Sequence, residues 1–261
     1  MRTLREMTAP LAHTDRGEGH PVVFLHGITA NRRHWAPAVE LLVDRYRCIN
    51  VDALGHGESP RGEGHNLFAQ VDALAALVEH LGLHGPVVVG HSAGAFAATV
   101  FATGHPASGV VNIDQRLDTT AFGEEIRPYE QRLRSGDDAQ FQAAFAEFVE
   151  HEEIGMVPEE RQALARYNIR PTPEVVLDMW TTVFDTPPHE LKALIEGMLP
   201  GVSAPYLAVF GSPISEEERR LLGLIPESRV EVWEGLGHFV PLVDPDRTAA
   251  RIAAFVDEVT G

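Results

Sequence analysis

The sequence predicts an α/β protein: a mostly parallel sheet with helices on both faces and a helical insertion. Three observations carry this. Apolar, strand-like runs alternate with amphipathic, helix-like segments along most of the chain. The run Val87-Val88-Val89 leads through Gly90-His91-Ser92-Ala93-Gly94 straight into the helix-like run from Ala95 to Val100, a strand, sharp turn and helix. About ninety residues between Ile113 and Tyr206 then pass with helical periodicity and no clear strand. A structureless loop of that length is unusual inside a domain, so a helical insertion over the carboxyl ends of the strands is the better reading.

Taken in order, residues 1–18 are read as one or two antiparallel edge strands. Val22–His26 is a central strand, and Trp35–Tyr46 a helix with Val39, Leu42 and Val43 at helical spacing. Cys48–Val51 is the next strand. Leu67–Leu81 carries Val71, Leu74, Leu77, Val78 and Leu81 on one stripe, as an amphipathic helix does. Val87–Val89, Val110–Ile113, Tyr206–Phe210 and Val230–Trp233 are further strands. The last helix opens at Asp244-Pro245, a capping residue followed by proline at the first helical position. Its stripe is Ile252, Phe255, Val256 and Val259. The expected division is core 1–117, helical cap 118–200 and core 201–261.

Composition narrows the function. The 261 residues carry a formal charge of −17, which argues against nucleic acid or an anionic membrane as partner, since either needs a basic surface. No apolar run is long enough to span a bilayer, and Met1–Glu6 has no apolar stretch of the secretory kind, so a cytoplasmic location is expected. The one cysteine, Cys48, lies in a strand and reads as packing. No metal-ligand spacing and no phosphate-binding loop is present, so no cofactor is expected.

The turn at Ser92 is the chemical signal. Gly90 and Gly94 permit the close backbone approach that a sharp strand-to-helix turn demands. Ser92 then stands at a helix start, where free N–H groups favour negative charge. A serine hydroxyl needs a base to take its proton. Of 13 histidines, His238 in Gly235-Leu236-Gly237-His238-Phe239 follows the last strand, which puts it at the carboxyl edge beside the turn. The oxyanion of acyl transfer needs preorganised N–H donors. The backbone of Ala93, after the nucleophile, is one; Ile28, after His26-Gly27, is the other. His34 and Trp35 are candidate lid or pocket contacts, or simple packing. Phe141, Phe145, Trp180 and Phe184 are candidates to face a substrate cavity, against the plainer reading of cap packing.

His26-Gly27, Asp52-Ala53-Leu54-Gly55-His56-Gly57-Glu58-Ser59, Gly90-His91-Ser92-Ala93-Gly94 and Gly237-His238-Phe239 occur in that order, and together they resemble the alpha/beta-hydrolase superfamily. The resemblance implies an eight-stranded core, an inserted cap and a Ser-acid-His triad. It also implies that Asp52, His56 and Ser59 are architecture. Members usually carry the acid just after the strand equivalent to Tyr206–Phe210, but here that stretch reads Gly211-Ser212-Pro213-Ile214-Ser215. Some members carry the acid one strand earlier, which here is Asp114; Glu216 and Asp118 are the alternatives. The implied activity is hydrolysis of an ester or lactone of a small to medium hydrophobic substrate. The alternatives are a cofactor-free dioxygenase acting on a heteroaromatic ring, and a receptor-like binding protein with little turnover. An apolar stripe on the cap is a candidate for pairing two subunits in a homodimer.

Overall fold

The computed structural model describes residues 10–61, 64–152, 154–168 and 172–261. The strands are β1 His13–Arg16, β2 Pro21–Leu25, β3 Arg47–Val51, β4 Val87–His91, β5 Gly109–Ile113, β6 Tyr206–Phe210 and β7 Ser228–Val232. They form one sheet in the order β1-β3-β2-β4-β5-β6-β7. Only the β1–β3 pairing is antiparallel. Seven strands are therefore present among the described residues where eight were expected. One antiparallel edge strand falls within residues 1–18 as read; residues 1–9 lie outside the described residues.

Strand alternation divides the core in two. In β2, Val22 and Phe24 join one apolar cluster and Val23 and Leu25 the other. Both faces of the central strands are buried, which is why these segments read as near-continuous apolar runs. The helices are α1 Ala36–Glu40, α2 Leu67–His80, α3 Ala93–Gly104, α4 Thr119–Ile126, α5 Glu130–Leu133, α6 Asp138–His151, α7 Glu159–Asn168, α8 Pro173–Asp185, α9 Pro188–Met198, α10 Glu216–Leu222, α11 Val240–Val243 and α12 Pro245–Thr260. Ala38 and Val39 of α1 and Ile252 and Phe255 of α12 cover the Val22 face. Leu74 and Leu77 of α2, Phe101 of α3 and Leu221 of α10 cover the other. Asp244 caps α12 as its sequence predicts, accepting the Arg247 N–H at 3.0 Å.

The helix expected over Trp35–Tyr46 is shorter. Arg32–Trp35 form a 3-10 turn capped by Asn31, and α1 ends at Glu40. Beyond it the chain mixes bonds three and four residues long, with Leu42 N–H and Val43 N–H sharing the Val39 carbonyl. The tightening keeps Leu42 and Tyr46 buried against the sheet.

Helices α4 to α9 fall between β5 and β6. Ile126, Leu133, Phe141, Phe145, Phe148, Val176 and Trp180 make a separate apolar cluster there. No helix among the described residues is long and apolar enough to cross a membrane.

Candidate active site

Three non-glycine residues among those described have positive φ: Thr29 at 60°, Ser92 at 51° and Asp114 at 53°. All three line one cavity at the carboxyl ends of β2, β4 and β5. Backbone strain of this kind survives only where surrounding structure over-determines it, and it gathers at functional sites.

Ser92 occupies the turn between β4 and α3 and donates its N–H to the Ile113 carbonyl at 3.0 Å. The flanking glycines are forced. A Cβ at Gly90 would lie 2.3 Å from Ala95 backbone atoms, and one at Gly94 would lie 2.5 Å from the Leu25 and His26 carbonyl oxygens. Gly27 completes the contact: a Cβ there would meet the Ser92 Cβ at 3.1 Å.

The loop after β2 turns at Gly27–Ala30, closed by Ala30 N–H to the Gly27 carbonyl at 3.2 Å. Thr29 N–H donates to His56 Nε2 at 3.0 Å. His26 donates from Nδ1 to the Gly27 carbonyl at 2.7 Å and accepts the Ala53 N–H on Nε2 at 3.0 Å. The N–H groups of Ile28 and Ala93 have no protein acceptor among the described residues. Both residues line the cavity. The Asp52 to Ser59 segment braces this loop. Asp52 accepts the Arg32 N–H at 2.7 Å and the Glu58 N–H at 2.9 Å, and pairs with the Arg32 guanidinium. Ser59 Oγ donates to the Asp52 carbonyl at 2.6 Å.

His238 sits in the turn between β7 and α11. Its Nδ1 is 2.7 Å from Asp114 Oδ2. Asp114 follows β5 directly. Its N–H donates to the Val209 carbonyl at 2.8 Å, and its Oδ1 accepts the Gly211 N–H at 2.8 Å. Gly211 opens the stretch after β6 that lacks an acid, and its backbone N–H holds Asp114. It must be glycine, since a Cβ there would lie 1.9 Å from the Gly237 carbonyl oxygen. The alternative carboxylates serve elsewhere. Asp118 caps α4 through the Ala121 N–H at 3.1 Å, and Glu216 is exposed in the first turn of α10.

A second carboxylate reaches His238, and nothing in the sequence pointed to it. Glu152, the residue after α6, places Oε2 3.3 Å from His238 Nδ1. Glu125 of α4 faces Glu152. Burial, together with the neighbouring Glu152 carboxyl, pushes the Glu125 carboxyl up to about 7. Burial opposes a charge on His238, but the carboxylates of Glu152 and Asp114 outweigh it and push the imidazole up to about 9.

The neighbouring histidines are held neutral. His91 donates from Nε2 to the His238 carbonyl at 2.9 Å, because a carbonyl can only accept. His34 stacks on His91 with ring centroids 4.5 Å apart. Burial pushes His26 down to about 4 and His34 and His56 to about 3, and takes His91 well below the usual range.

The cavity has a volume of about 630 Å³, within the range of small-molecule sites. Its walls are mainly apolar, with Phe96 from α3 and Phe122, Phe145, Phe148, Met179 and Trp180 from the inserted helices. Of the pocket candidates, His34, Phe145 and Trp180 reach this wall. Trp35 does not. It is fully buried against Phe24 and donates Nε1 to the Leu25 carbonyl at 3.0 Å. Phe141 lies behind Phe145 within the cap cluster, with centroids 6.2 Å apart. Phe184 packs on Trp180 beneath the Arg134 guanidinium and also misses the cavity. Among the described residues no three His, Cys, Asp or Glu side chains are grouped to hold a metal ion.

A model of the alpha/beta hydrolase family matches residues 22–251. The chain is 32% identical over 125 residues to 2-(acetamidomethylene)succinate hydrolase of Mesorhizobium japonicum, covering 47% of this chain and 44% of that enzyme. It spans less than half the length of the curated relatives it matches first. A thermophilic esterase from Thermogutta terrifontis superposes with a TM-score of 0.74 at 27% identity, over 96% of this chain and 94% of that one. The structure of E-2-(acetamidomethylene)succinate hydrolase gives 0.71 at 25% identity, over 95% of each chain.

Proposed function

Because the chain belongs to the alpha/beta hydrolase family, we propose that it is a serine hydrolase cleaving an ester or lactone of a small to medium hydrophobic substrate. The observation that carries this is the shared cavity. Ser92, on a strained turn, faces the same space as His238, whose Nδ1 is engaged by Asp114 at 2.7 Å. Hydrolases and an esterase among the relatives support the class of reaction.

In this mechanism His238 Nε2 takes the Ser92 proton as Oγ attacks the substrate carbonyl. The resulting oxyanion receives hydrogen bonds from the N–H groups of Ile28 and Ala93, both of which line the cavity. His238 then gives its proton to the leaving alkoxide, and an acyl-serine remains. His238 next activates a water, which releases the acid. In a lactone the leaving alkoxide is tethered and one hydroxy acid results. Asp114 holds the imidazole in the Nδ1–H tautomer throughout. The aromatic walls favour an apolar acyl or alkyl group.

The test is covalent. A fluorophosphonate probe should label Ser92 in the unsubstituted protein, fail on Ser92→Ala and label His238→Ala far more slowly. Activity on p-nitrophenyl esters should then favour short to medium acyl chains. Absence of both labelling and ester turnover, with oxygen uptake on a heteroaromatic ring or retention of a ligand without turnover, would overturn this reading.

A further inference from the structure

The imidazole of His238 meets two carboxylates at one nitrogen. Asp114 Oδ2 lies 2.7 Å and Glu152 Oε2 3.3 Å from Nδ1, which carries a single proton. The two arrive from different parts of the fold. Asp114 is fixed to the sheet through its own N–H and the Gly211 N–H. Glu152 hangs from the last turn of α6, where its N–H bonds the Phe148 carbonyl at 3.1 Å. Phe148 in turn packs edge-on against Trp180 at 5.2 Å. The position of Glu152 is therefore set by the packing of the inserted helices, not by the sheet.

We infer that Glu152 is a second positioning carboxylate for His238, held beside Nδ1 as a charge while Asp114 accepts the Nδ1 proton, so that the inserted helices complete the base. The inference rests on His238 being the general base proposed above. When His238 takes the Ser92 proton, the imidazolium forms beside both carboxylates, hydrogen-bonded to Asp114 and 3.3 Å from Glu152, and its charge is stabilised where it forms. Glu152 also supplies a negative charge that remains when Asp114 is replaced.

Among the described residues, Asp114 after β5, Glu152 after α6, Glu125 of α4 and the rings of His91 and His34 face His238. His151 lies 3.8 Å from Glu125, and Arg116 faces Glu125 from the loop after β5. A carboxylate that served only to pin the cap would leave the titration of His238 unchanged when exchanged for an amide of the same shape. A carboxylate that partners the imidazole would not.

The experiment measures kcat/KM for a p-nitrophenyl ester against pH in the unsubstituted protein, Glu152→Gln, Glu152→Asp, Asp114→Asn and the Asp114→Asn/Glu152→Gln pair. Removing an opposite charge beside a titrating group moves it by about 1 to 3 pH units. The acid limb of Glu152→Gln should fall by that amount, and Glu152→Asp should restore much of it. Asp114→Asn should lose less than the roughly 10⁴-fold seen when a lone triad acid becomes an amide. Adding Glu152→Gln to Asp114→Asn should lose at least about tenfold more than it does alone, as coupled partners require. If Asp114→Asn does not fold, the acid limb of Glu152→Gln decides by itself. An acid limb that stays in place overturns the inference. Fluorophosphonate labelling of Ser92, run in parallel, separates the failures: labelled protein with an unmoved limb sinks the role of Glu152 alone, while unlabelled protein sinks the serine mechanism with it.

Discussion

Mild acid should destabilise this protein sharply, and the reason lies under the active site. His26, His34, His56 and His91 are buried, and burial holds them at about 4, about 3, about 3 and well below the usual range. An unfolded chain protonates a histidine near 6.5. Below that pH the unfolded state binds protons that the folded state refuses, so stability falls as pH falls. At about pH 5 His26, His34 and His56 each contribute roughly 2 kcal/mol of loss relative to pH 7, about 6 kcal/mol together, and His91 adds loss in the same direction. Three groups act in the other direction. Glu125, pushed up to about 7, His238, pushed up to about 9, and Glu218, raised by burial, bind protons more tightly when folded. The first two return about 3 kcal/mol over the same interval. A net loss of about 3 to 5 kcal/mol is a large share of the roughly 5–15 kcal/mol that holds a domain folded. Urea unfolding at about pH 7 and about pH 5 measures it directly. His34→Phe removes one of the four titrations, keeps a ring against His91, and should shrink the loss by about 2 kcal/mol. Two stabilities that agree within about 1 kcal/mol, or a His34→Phe protein with the same acid loss as its parent, would refute the argument.

Three further predictions concern the site. His238, pushed up to about 9, is mostly protonated at neutral pH, so kcat/KM should keep rising well above pH 6.5; a rate already at its plateau near pH 6 would contradict the assignment. Gly211→Ala puts a Cβ against the Gly237 carbonyl and displaces both the His238 turn and the N–H that holds Asp114. Misplacement of this order costs about 10²-fold in rate, and kcat should fall further than stability does. Glu218 is fully buried and accepts the Leu117 and Asp118 N–H groups at 2.9 Å. Glu218→Gln replaces one acceptor oxygen with a donor and should lower unfolding stability by about 1–3 kcal/mol, while leaving the first turn of α4 capped by Asp118.

Signals confined to a few neighbouring residues were legible in the sequence. The two faces of the sheet follow from side chains alternating along each strand, as in Val22 to Leu25. The elbow follows from two glycines that steric contact with Ala95 and with Leu25 and His26 makes obligatory. The position of His238 at the cavity followed from its place after the last strand. What depends on distance through space was less legible, and some of it was absent. Asp114 and His238 lie 124 residues apart; the sequence offered three carboxylates, and only the pairing of β5 with β6 sets Asp114 beside Gly211 and the imidazole. Phe141 and Phe145 are one helical turn apart on the same stripe, so periodicity could not say that Phe145 walls the cavity and Phe141 lies behind it. Trp35 could be read as a lid contact or as packing because it follows the loop after β2, and only the structure shows its indole buried against the sheet and bonded to the Leu25 carbonyl. Glu152 left no trace at all, because a glutamate in the last turn of an amphipathic helix is ordinary surface until another element packs against it. The sequence by itself determined the strands, the tight turn at Ser92 and the place of His238 after the last strand, since each is encoded in local sterics and periodicity. The tertiary structure alone decided which carboxylates and which aromatics share the space in front of Ser92, because that depends on how the inserted helices settle over the sheet.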